Sequence, residues 1–407
     1  MIPETNALGV SFASCQKTVI FNMRKWLLPE YIEDLLPEEA RRVEGLRRAL
    51  LDLFEVNGYQ LVQPPLLEYV DSLLTGTGSD LDLQTFKLVD QLSGRMLGVR
   101  ADITPQVARI DAHLLNRKGV SRLCYAGSVL HTLPAGLGRT REPLQAGAEI
   151  YGHAGFEADV EIQRLMLNAL RLAGVSQPQL DIGHVAVFRA LVRLAGVDTE
   201  NEAELFGAVQ MKDVPGLRAL VRRFDKKLRM AFEQLPELTG DATVLRRARR
   251  LLPNDREIRK ALVQLQTVDA ALRETGADVR VDLGELRGYH YHSGIVFAAY
   301  MAGWPNALAL GGRYDEVGRA FGRARPATGF SLDLREMAAA VPGGKPRGGV
   351  LAPYQPKDRK LQQRIETLRR AGIAVIVELP GHAATQAELG CDRRLMRRAG
   401  QWRIVKI

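Results

Sequence analysis

Short apolar runs of strand length dominate two parts of the chain, and they follow one another without a helix between each pair. Leu123–Ala126 precedes Gly147–Tyr151, and Ile295–Ala299 precedes Leu308–Leu310, with loops between them. Between these two parts, residues 188–275 have a helical pattern almost throughout. A parallel sheet would need steady alternation of strands and helices. The pattern therefore predicts an α+β fold, in which an antiparallel sheet is flanked by helices and interrupted by a helical insertion.

Proline, glycine and asparagine mark where individual elements begin and end. Pro37 suits the first turn of a helix, which we expect to end at Asn57–Gly58. Phe86–Val89 and Met96–Val99 lie on either side of a polar turn, the pattern of a β-hairpin. The paired glycines Gly311–Gly312 predict a tight turn.

We divide the chain into four segments. Residues 1–22 differ from the regular sequence that follows, and we expect a leader that is disordered or not translated. The core occupies residues 23–340 and includes the helical insertion. A linker rich in glycine and proline, VPGGKPR at 341–347, separates the core from a short C-terminal α/β module at 348–407. In that module we expect strands to alternate with two helices.

Basic residues exceed acidic ones, which gives the chain a net charge of +9. A basic balance is one signal for nucleic-acid binding. No dense basic block interleaved with aromatic residues occurs, however, and the runs Arg246–Arg250 and Arg393–Arg398 are more typical of solvated helix faces. The sequence therefore disfavours a nucleic-acid partner.

Several classes of protein are disfavoured by patterns that the chain lacks. It has no apolar run of 18 or more residues and no secretory signal pattern, so we expect no membrane attachment. Cys15, Cys124 and Cys391 are widely spaced, which argues against a disulfide framework or a zinc cluster and favours a cytoplasmic location. Neither a dinucleotide-binding glycine motif nor a P-loop is present. We expect no cofactor and no metal.

Four stretches carry the residue types of a binding site: Val99–Arg109, Gly127–Gly152, Asp282–Tyr300 and Gly311–Leu334. They contain the phrases VRADITPQVAR, RGYHYH and GGRYDEVG. In order, spacing and character they resemble the catalytic core of the histidyl-tRNA synthetases, over most of the chain. The resemblance implies a class II aminoacyl-tRNA synthetase fold with an antiparallel sheet core.

The resemblance also implies that the amino-acid pocket of this family is partly retained. In the family, acidic and glutamine side chains bind the ammonium and imidazole groups of histidine, and an arginine stabilises charge on the reacting groups. The matching positions predict a histidine-binding pocket of six residues: Asp102, Gln145, Glu149, Arg287, Tyr291 and His292. His290 and His292 replace the aspartate and second tyrosine of the family motif. They could bind a metal with Asp282 by residue type, but no further ligand has useful spacing.

By the same resemblance, the nucleotide site is lost. The family holds ATP with an arginine and a glutamate in motif 2, where this chain has His131 and Leu133. Motif 3 of the family ends in an arginine on the γ-phosphate, where this chain has Glu336, whose charge would repel a triphosphate. Arg139 and Arg141 persist in the motif 2 loop. We expect His131 to be an exposed loop residue with no catalytic role.

Among synthetase-like proteins, this pattern of loss is similar to the branch that regulates ATP phosphoribosyltransferase. The phrases RGYHYHSGIVFAAY, GGRYDEVG and ATGFSLDL carry the similarity, together with the short tail. It implies a non-catalytic subunit that activates a short-form catalytic subunit in the first step of histidine biosynthesis and confers feedback inhibition by L-histidine. It also implies a homodimeric core within a hetero-oligomer. Two alternatives stay open: an active histidyl-tRNA synthetase and a synthetase-like RNA-binding protein.

Overall fold

The structure is a computed structural model of the 407-residue chain. It describes residues 27–75, 79–136, 138–341, 343, 348–381 and 388–407. The expected leader at residues 1–22 and most of the expected linker at 341–347 lie outside the described residues. Among the residues described, none of the helices combines the length and the apolar character that crossing a bilayer requires.

Helices are distributed along the whole described chain. The helix expected to begin at Pro37 is confirmed, and the α-helices are α1 Pro37–Val56, α2 Val70–Leu73, α3 Ser79–Gln84, α4 Thr104–Arg109, α5 Phe156–Ala173, α6 Val185–Ala195, α7 Thr199–Gln210, α8 Val214–Leu220, α9 Lys226–Gln234, α10 Thr243–Leu251, α11 Arg256–Arg273, α12 Leu334–Ala340 and α13 Arg359–Arg370. A turn of π-helix follows α4, and shorter 3-10 turns occur elsewhere: Ile110–Leu115, Leu235–Glu237 and Val317–Phe321.

The strands form three sheets. In chain order they are β1 Gln60–Leu61, β2 Leu67–Tyr69, β3 Phe86–Val89, β4 Met96–Val99, β5 Ser121–Ser128, β6 Leu144–Tyr151, β7 Gln179–His184, β8 Thr239–Gly240, β9 Asp278–Asp282, β10 Ile295–Tyr300, β11 Ala309–Arg313, β12 Ala327–Asp333, β13 Gly349–Ala352, β14 Val375–Val377, β15 Cys391–Arg398 and β16 Gln401–Lys406.

The central sheet has nine strands in the order β1-β5-β6-β12-β11-β10-β7-β9-β8. Its pairs are antiparallel except β1 with β5 and β7 with β9. The expected hairpin of β3 and β4 is confirmed, and with β2 it forms a separate three-stranded sheet. The prediction of an antiparallel sheet core with flanking helices is therefore correct.

The two faces of the central sheet have different roles. Helices α1, α5 and α11 cover one face, where Phe54 of α1 packs edge-to-face on Phe330 of β12 with ring centroids 6.0 Å apart. Along β6, Ala146, Ala148 and Ile150 point into this apolar core. Because side chains alternate along a strand, Glu149 and its odd-numbered neighbours point to the opposite face. That face carries the candidate site.

Close packing of the sheet explains the paired glycines. The expected tight turn at Gly311–Gly312 is wrong, because both residues lie inside β11 and pair with β12. A Cβ atom on Gly311 would lie 2.5 Å from the ring of Phe297, so a larger residue would not fit. Arg313, which follows Gly312 in β11, forms a buried ion pair with Asp159 of α5 at 2.9 Å. The segment thus fastens the sheet to the helix that covers it.

Six helices and the short strand β8 lie between β7 and β9 in the chain. Aspartate side chains accept backbone N–H bonds at the first turn of four of these helices: Asp198, Asp213, Asp225 and Asp255. Such caps stabilise helix starts and explain why this stretch divides into separate helices. Phe188 of α6 and Phe232 of α9 pack edge-to-face at 6.1 Å in its core. We refer to residues 185–273 as the helical insertion.

The C-terminal module contains a four-stranded sheet in the order β14-β13-β15-β16, with α13 packed on it. The second helix expected here is wrong over the described residues 388–407, which form the antiparallel hairpin of β15 and β16. Ala399 and Gly400 turn this hairpin with positive φ values of 48° and 75°. Leu395 and Ile404 pair across it and join the core beneath α13. The arginines of β15 therefore lie on a strand, not on a helix face.

Candidate functional site

A cavity of about 400 Å³ opens on the face of the central sheet opposite α1 and α5. Its walls come from β6, β11 and β12, the start of α4, the segment Arg287–His292 and helix α7. Five of the six predicted histidine-binding residues line it: Asp102, Glu149, Arg287, Tyr291 and His292. The structure therefore brings together residues that are up to 190 positions apart in the sequence.

Asp102 and Gln145 form one hydrogen-bonded unit at the edge of this cavity. The Oδ1 atom of Asp102 accepts from the backbone N–H of Thr104 at 3.0 Å and from Nε2 of Gln145 at 2.8 Å. Gln145 in turn accepts from the backbone N–H of Ile103 at 2.9 Å. Asp102 is thus held at the first turn of α4, and Gln145 lies behind it as a support without lining the main cavity.

Glu149 lies at the floor of the cavity and is only 1% exposed. Its carboxyl group accepts hydrogen bonds from the hydroxyl groups of Tyr125, at 3.1 Å, and Tyr314. Burial raises the pKa of Glu149 to about 8, although the two tyrosine hydrogen bonds act in the opposite direction. The group is therefore mostly protonated at neutral pH and can donate a hydrogen bond to a ligand as well as accept one.

Tyr291 belongs to a cluster of aromatic rings above Glu149. Its ring lies 5.0 Å from that of Tyr314, which packs edge-to-face on Tyr151 at 6.3 Å. The hydroxyl group of Tyr291 is buried and makes no hydrogen bond with the part of the chain that the structure describes. A ligand with a polar group could therefore bind at this hydroxyl without displacing an existing bond.

Arg287 and His292 are the first and last residues of the segment RGYHYH. Arg287 donates to the hydroxyl of Tyr300 at 2.6 Å and lies 3.3 Å from the carboxylate of Glu285, while its side chain stays 45% exposed. His292 makes a hydrogen bond from Nδ1 to the carbonyl of Gly288 at 3.0 Å. Burial lowers the pKa of His292 to about 4, so the imidazole is neutral at pH 7.

Of two further residues that the sequence singled out, His290 also lines the cavity, whereas Asp282 does not. His290 is exposed beside the ring of Phe206, at 5.6 Å between centroids. Asp282 makes an ion pair with Lys212 at 3.0 Å. Within the described ranges, no group of three or more histidine, cysteine or acidic side chains has the arrangement of a metal site.

A second cleft, of about 120 Å³, is lined by His131 and Glu336, two of the residues that the resemblance places at the family's nucleotide site. In this cleft the carboxylate of Glu336 forms an ion pair with Arg139 at 2.6 Å. The same carboxylate accepts a hydrogen bond from Nε1 of Trp304 at 3.1 Å. Arg139, which could have bound a phosphate, is thus neutralised inside the protein. Arg335, the residue before Glu336, does not line the cleft and donates to the carbonyl of Glu142.

His131 lines this cleft, whereas Leu133 does not. The expectation that His131 is exposed is wrong, because the residue is half-buried and its Nε2 atom bonds the carbonyl of Ala101 at 2.9 Å. The bridge between His131 and Thr85 explains this position, since it ties the loop to the end of α3. Leu133 is 72% exposed and offers no group for a nucleotide.

Comparison with known families assigns both parts of the chain. Residues 31–337 match the family model described as histidyl-tRNA synthetase. Residues 347–405 match the model described as the ATP phosphoribosyltransferase subunit HisZ C-terminal domain. A relative from Nitrosospira multiformis, named ATP phosphoribosyltransferase regulatory subunit, is 57% identical over 387 residues, which are 94% of this chain and 98% of the relative. The chain belongs to the ATP phosphoribosyltransferase regulatory subunit family.

Other relatives agree with this membership. A protein of the same name from an Azoarcus species is 59% identical over 93% of this chain and 98% of its own length. A crystal structure described as an ATP phosphoribosyltransferase regulatory subunit/histidyl-tRNA synthetase from Bacillus halodurans has a TM-score of 0.79 at 28% identity, covering 89% of this chain and 96% of that one. Histidyl-tRNA synthetase from Nostoc, with a TM-score of 0.75 at 17% identity and coverage of 94% and 97%, shares the fold.

Membership in this family confirms two predictions. The fold is that of the class II histidyl-tRNA synthetases. The chain is a regulatory, non-catalytic subunit despite that fold. In the cleft lined by Glu336, that carboxylate is paired with Arg139.

Sequence reasoning missed several residues that line the cavity or bond to its side chains. Tyr125 and Tyr314 bond to Glu149, and alternation along the strands could have placed Tyr125 on the same face as that carboxyl group. Phe206 and Gln210 line the cavity from α7. No local signal could have found these two, because they come from the helical insertion and reach the cavity only through tertiary packing.

Proposed function

We propose that this chain is the regulatory subunit that a short-form ATP phosphoribosyltransferase catalytic subunit requires for activity, in the first step of histidine biosynthesis. We further propose that L-histidine inhibits the complex by binding this chain in the cavity of Asp102 and Glu149. The observation that carries both proposals is the contrast between two neighbouring sites. The cavity measures about 400 Å³ and includes Asp102 and Glu149, whereas the neighbouring cleft of about 120 Å³ holds the ion pair of Glu336 with Arg139.

The chemistry of the cavity suits histidine. The second carboxylate oxygen of Asp102, Oδ2, can accept from the ligand's ammonium group. Gln145 holds the Asp102 carboxylate in place by donating to its Oδ1 atom. Arg287, which keeps 45% of its side chain exposed, can bind the ligand's carboxylate. Glu149 and the hydroxyl of Tyr291 can each hydrogen-bond an imidazole nitrogen. The neutral imidazole of His292 adds a polar surface without a second positive charge.

The oligomeric state forms part of this proposal. The three-stranded sheet of β2, β3 and β4 carries four apolar side chains that are between 40% and 53% exposed: Leu67, Leu88, Val89 and Met96. An exposed apolar group of this kind suits a protein interface. We infer that two copies of the chain pair through this sheet and that the resulting dimer assembles with catalytic subunits in the cytoplasm.

The deciding experiment measures phosphoribosyl-ATP formation by the short catalytic subunit of the same organism, with and without this chain, at zero and millimolar L-histidine. The proposal requires activity that appears only with this chain and falls as histidine is added. Activity that is indifferent to the chain would refute the regulatory role. Histidine-dependent ATP–pyrophosphate exchange by the chain alone would instead support the synthetase alternative.

The same assay tests where histidine binds. An Asp102→Ala variant removes the carboxylate proposed to bind the ammonium group, so half-maximal inhibition should need at least tenfold more histidine, since a charged hydrogen bond contributes about 1.5–3 kcal/mol. Glu142→Ala, a half-buried acidic residue outside the main cavity, is the matched control. Inhibition of Asp102→Ala at the wild-type concentration of histidine would show that the effector binds elsewhere.

A further inference from the structure

The segment Arg287–His292, which we name the pocket loop, is held in place by the helical insertion. Arg189 of α6 donates from Nη2 to two carbonyl groups of this loop, those of Tyr289 at 2.6 Å and His292 at 2.8 Å. The hydroxyl of Tyr289 donates to Oε1 of Glu202 in α7 at 2.7 Å. Two helices of the insertion therefore hold the loop that forms one wall of the cavity.

Ring packing strengthens the same connection. Tyr289 is 3% exposed, and its ring packs edge-to-face on Phe188 of α6 at 5.2 Å and against Phe206 of α7 at 5.5 Å. Phe206 also contacts the ring of His290 and, with Gln210, lines the cavity itself. Helix α7 is thus both the support of the pocket loop and a part of the cavity wall.

We propose that the helical insertion is a working part of the effector site, in which Arg189, Glu202 and Tyr289 are positioning residues that set the affinity for histidine. Arg189 and Glu202 do not line the cavity, so they act through the pocket loop. A loop held in its binding conformation loses less conformational freedom when the ligand binds. By linkage, histidine bound against the loop must also stabilise α7.

This inference rests on the proposed function, and one titration separates the two. Binding of L-histidine to the full-length chain is measured by calorimetry for the wild type, Tyr289→Phe, Glu202→Ala and the double variant. Each single change removes the same hydrogen bond to a charged group, and we expect histidine to bind about tenfold more weakly in each. The double variant should bind no more weakly than the weaker single variant, because the shared bond can be lost only once.

Two further variants make the titration specific. Glu204→Ala changes an exposed glutamate on the same helix and should bind histidine as the wild type does. Glu202→Gln keeps an acceptor oxygen for the hydroxyl of Tyr289, so it should recover part of the affinity lost in Glu202→Ala. This recovery would show that the effect comes from the hydrogen bond rather than from a general loss of folding.

Hydrogen exchange supplies a readout that a merely structural role would not change. Histidine should slow amide exchange in α7 of the wild type as well as in the strands of the cavity, and in Tyr289→Phe the slowing should be confined to the cavity strands. A wild-type chain that binds no histidine would refute the proposed function. A wild-type chain that binds histidine without protecting α7, or variants with wild-type affinity, would refute the present inference alone.

Discussion

Replacing Glu149 by glutamine should change how the stability of the protein depends on pH. Burial raises the pKa of Glu149 in the folded protein to about 8, whereas its ordinary value, expected in the unfolded chain, is 4.5. Between these two pH values the folded state keeps a proton that the unfolded state has released. The free energy of unfolding of the wild type therefore falls as the pH rises from 4.5 towards 8.

The size of this effect follows from the same two values. The interval from 4.5 to about 8 corresponds to roughly 5 kcal/mol, at about 1.4 kcal/mol for each pKa unit. Glutamine does not titrate. Like the protonated carboxyl group, it has one carbonyl oxygen that accepts and one group that donates, so it can still hydrogen-bond to the hydroxyls of Tyr125 and Tyr314. Glu149→Gln should match the wild type near pH 5 and become the more stable protein at pH 9.

Urea unfolding of both proteins between pH 5 and pH 9, at one protein concentration, measures this difference. His184 and His292, whose pKa values burial lowers to about 4, also make stability depend on pH, but they are common to both proteins and cancel in the difference. Glu204→Gln, on an exposed position of α7, serves as the control. A difference between Glu149→Gln and the wild type that stays constant from pH 5 to pH 9 would refute the reasoning.

Three other substitutions test the packing around the site. Glu336→Ala leaves Arg139 without its carboxylate partner and should lower the free energy of unfolding, measured in urea, by about 2–3 kcal/mol. The double variant Glu336→Ala with Arg139→Ala should lose less stability than this single variant, because it leaves no unpaired charge. Arg313→Ala strands its buried carboxylate partner on α5 and should cost about 3–5 kcal/mol; a change below 1 kcal/mol would contradict the assigned ion pair. Gly312→Ala would place a Cβ atom 2.5 Å from the ring of His292, so calorimetry should show weaker histidine binding.

Local signals predicted the elements whose beginnings and ends depend on neighbouring residues. The helix at Pro37 and the hairpin of β3 and β4 are both confirmed. The C-terminal tail shows where such signals fail. Its arginine-rich segment has helix-forming side chains, but Leu395 and Ile404 reach the core under α13 only if the chain alternates as a strand. Burial of these two residues outweighs intrinsic helix propensity.

The candidate site divides in the same way. Residue types and motif order identified the side chains of the cavity, because a pocket for a charged amino acid needs acids, an amide and an arginine. They did not reveal that Gln145 stands behind Asp102 or that His131 bonds to a neighbouring carbonyl. Such partners depend on distances between elements, which the order of residues along the chain does not contain.

The sequence by itself predicted the fold class correctly and named five side chains that line the cavity. Only the tertiary structure decided what Glu336 does, since its bond with Arg139 joins residues nearly 200 positions apart. It also decided that α7 forms part of the cavity wall. The physical reason is that local patterns reflect short-range geometry and burial, whereas the charge state and affinity of a buried site depend on groups that folding brings together from distant parts of the chain.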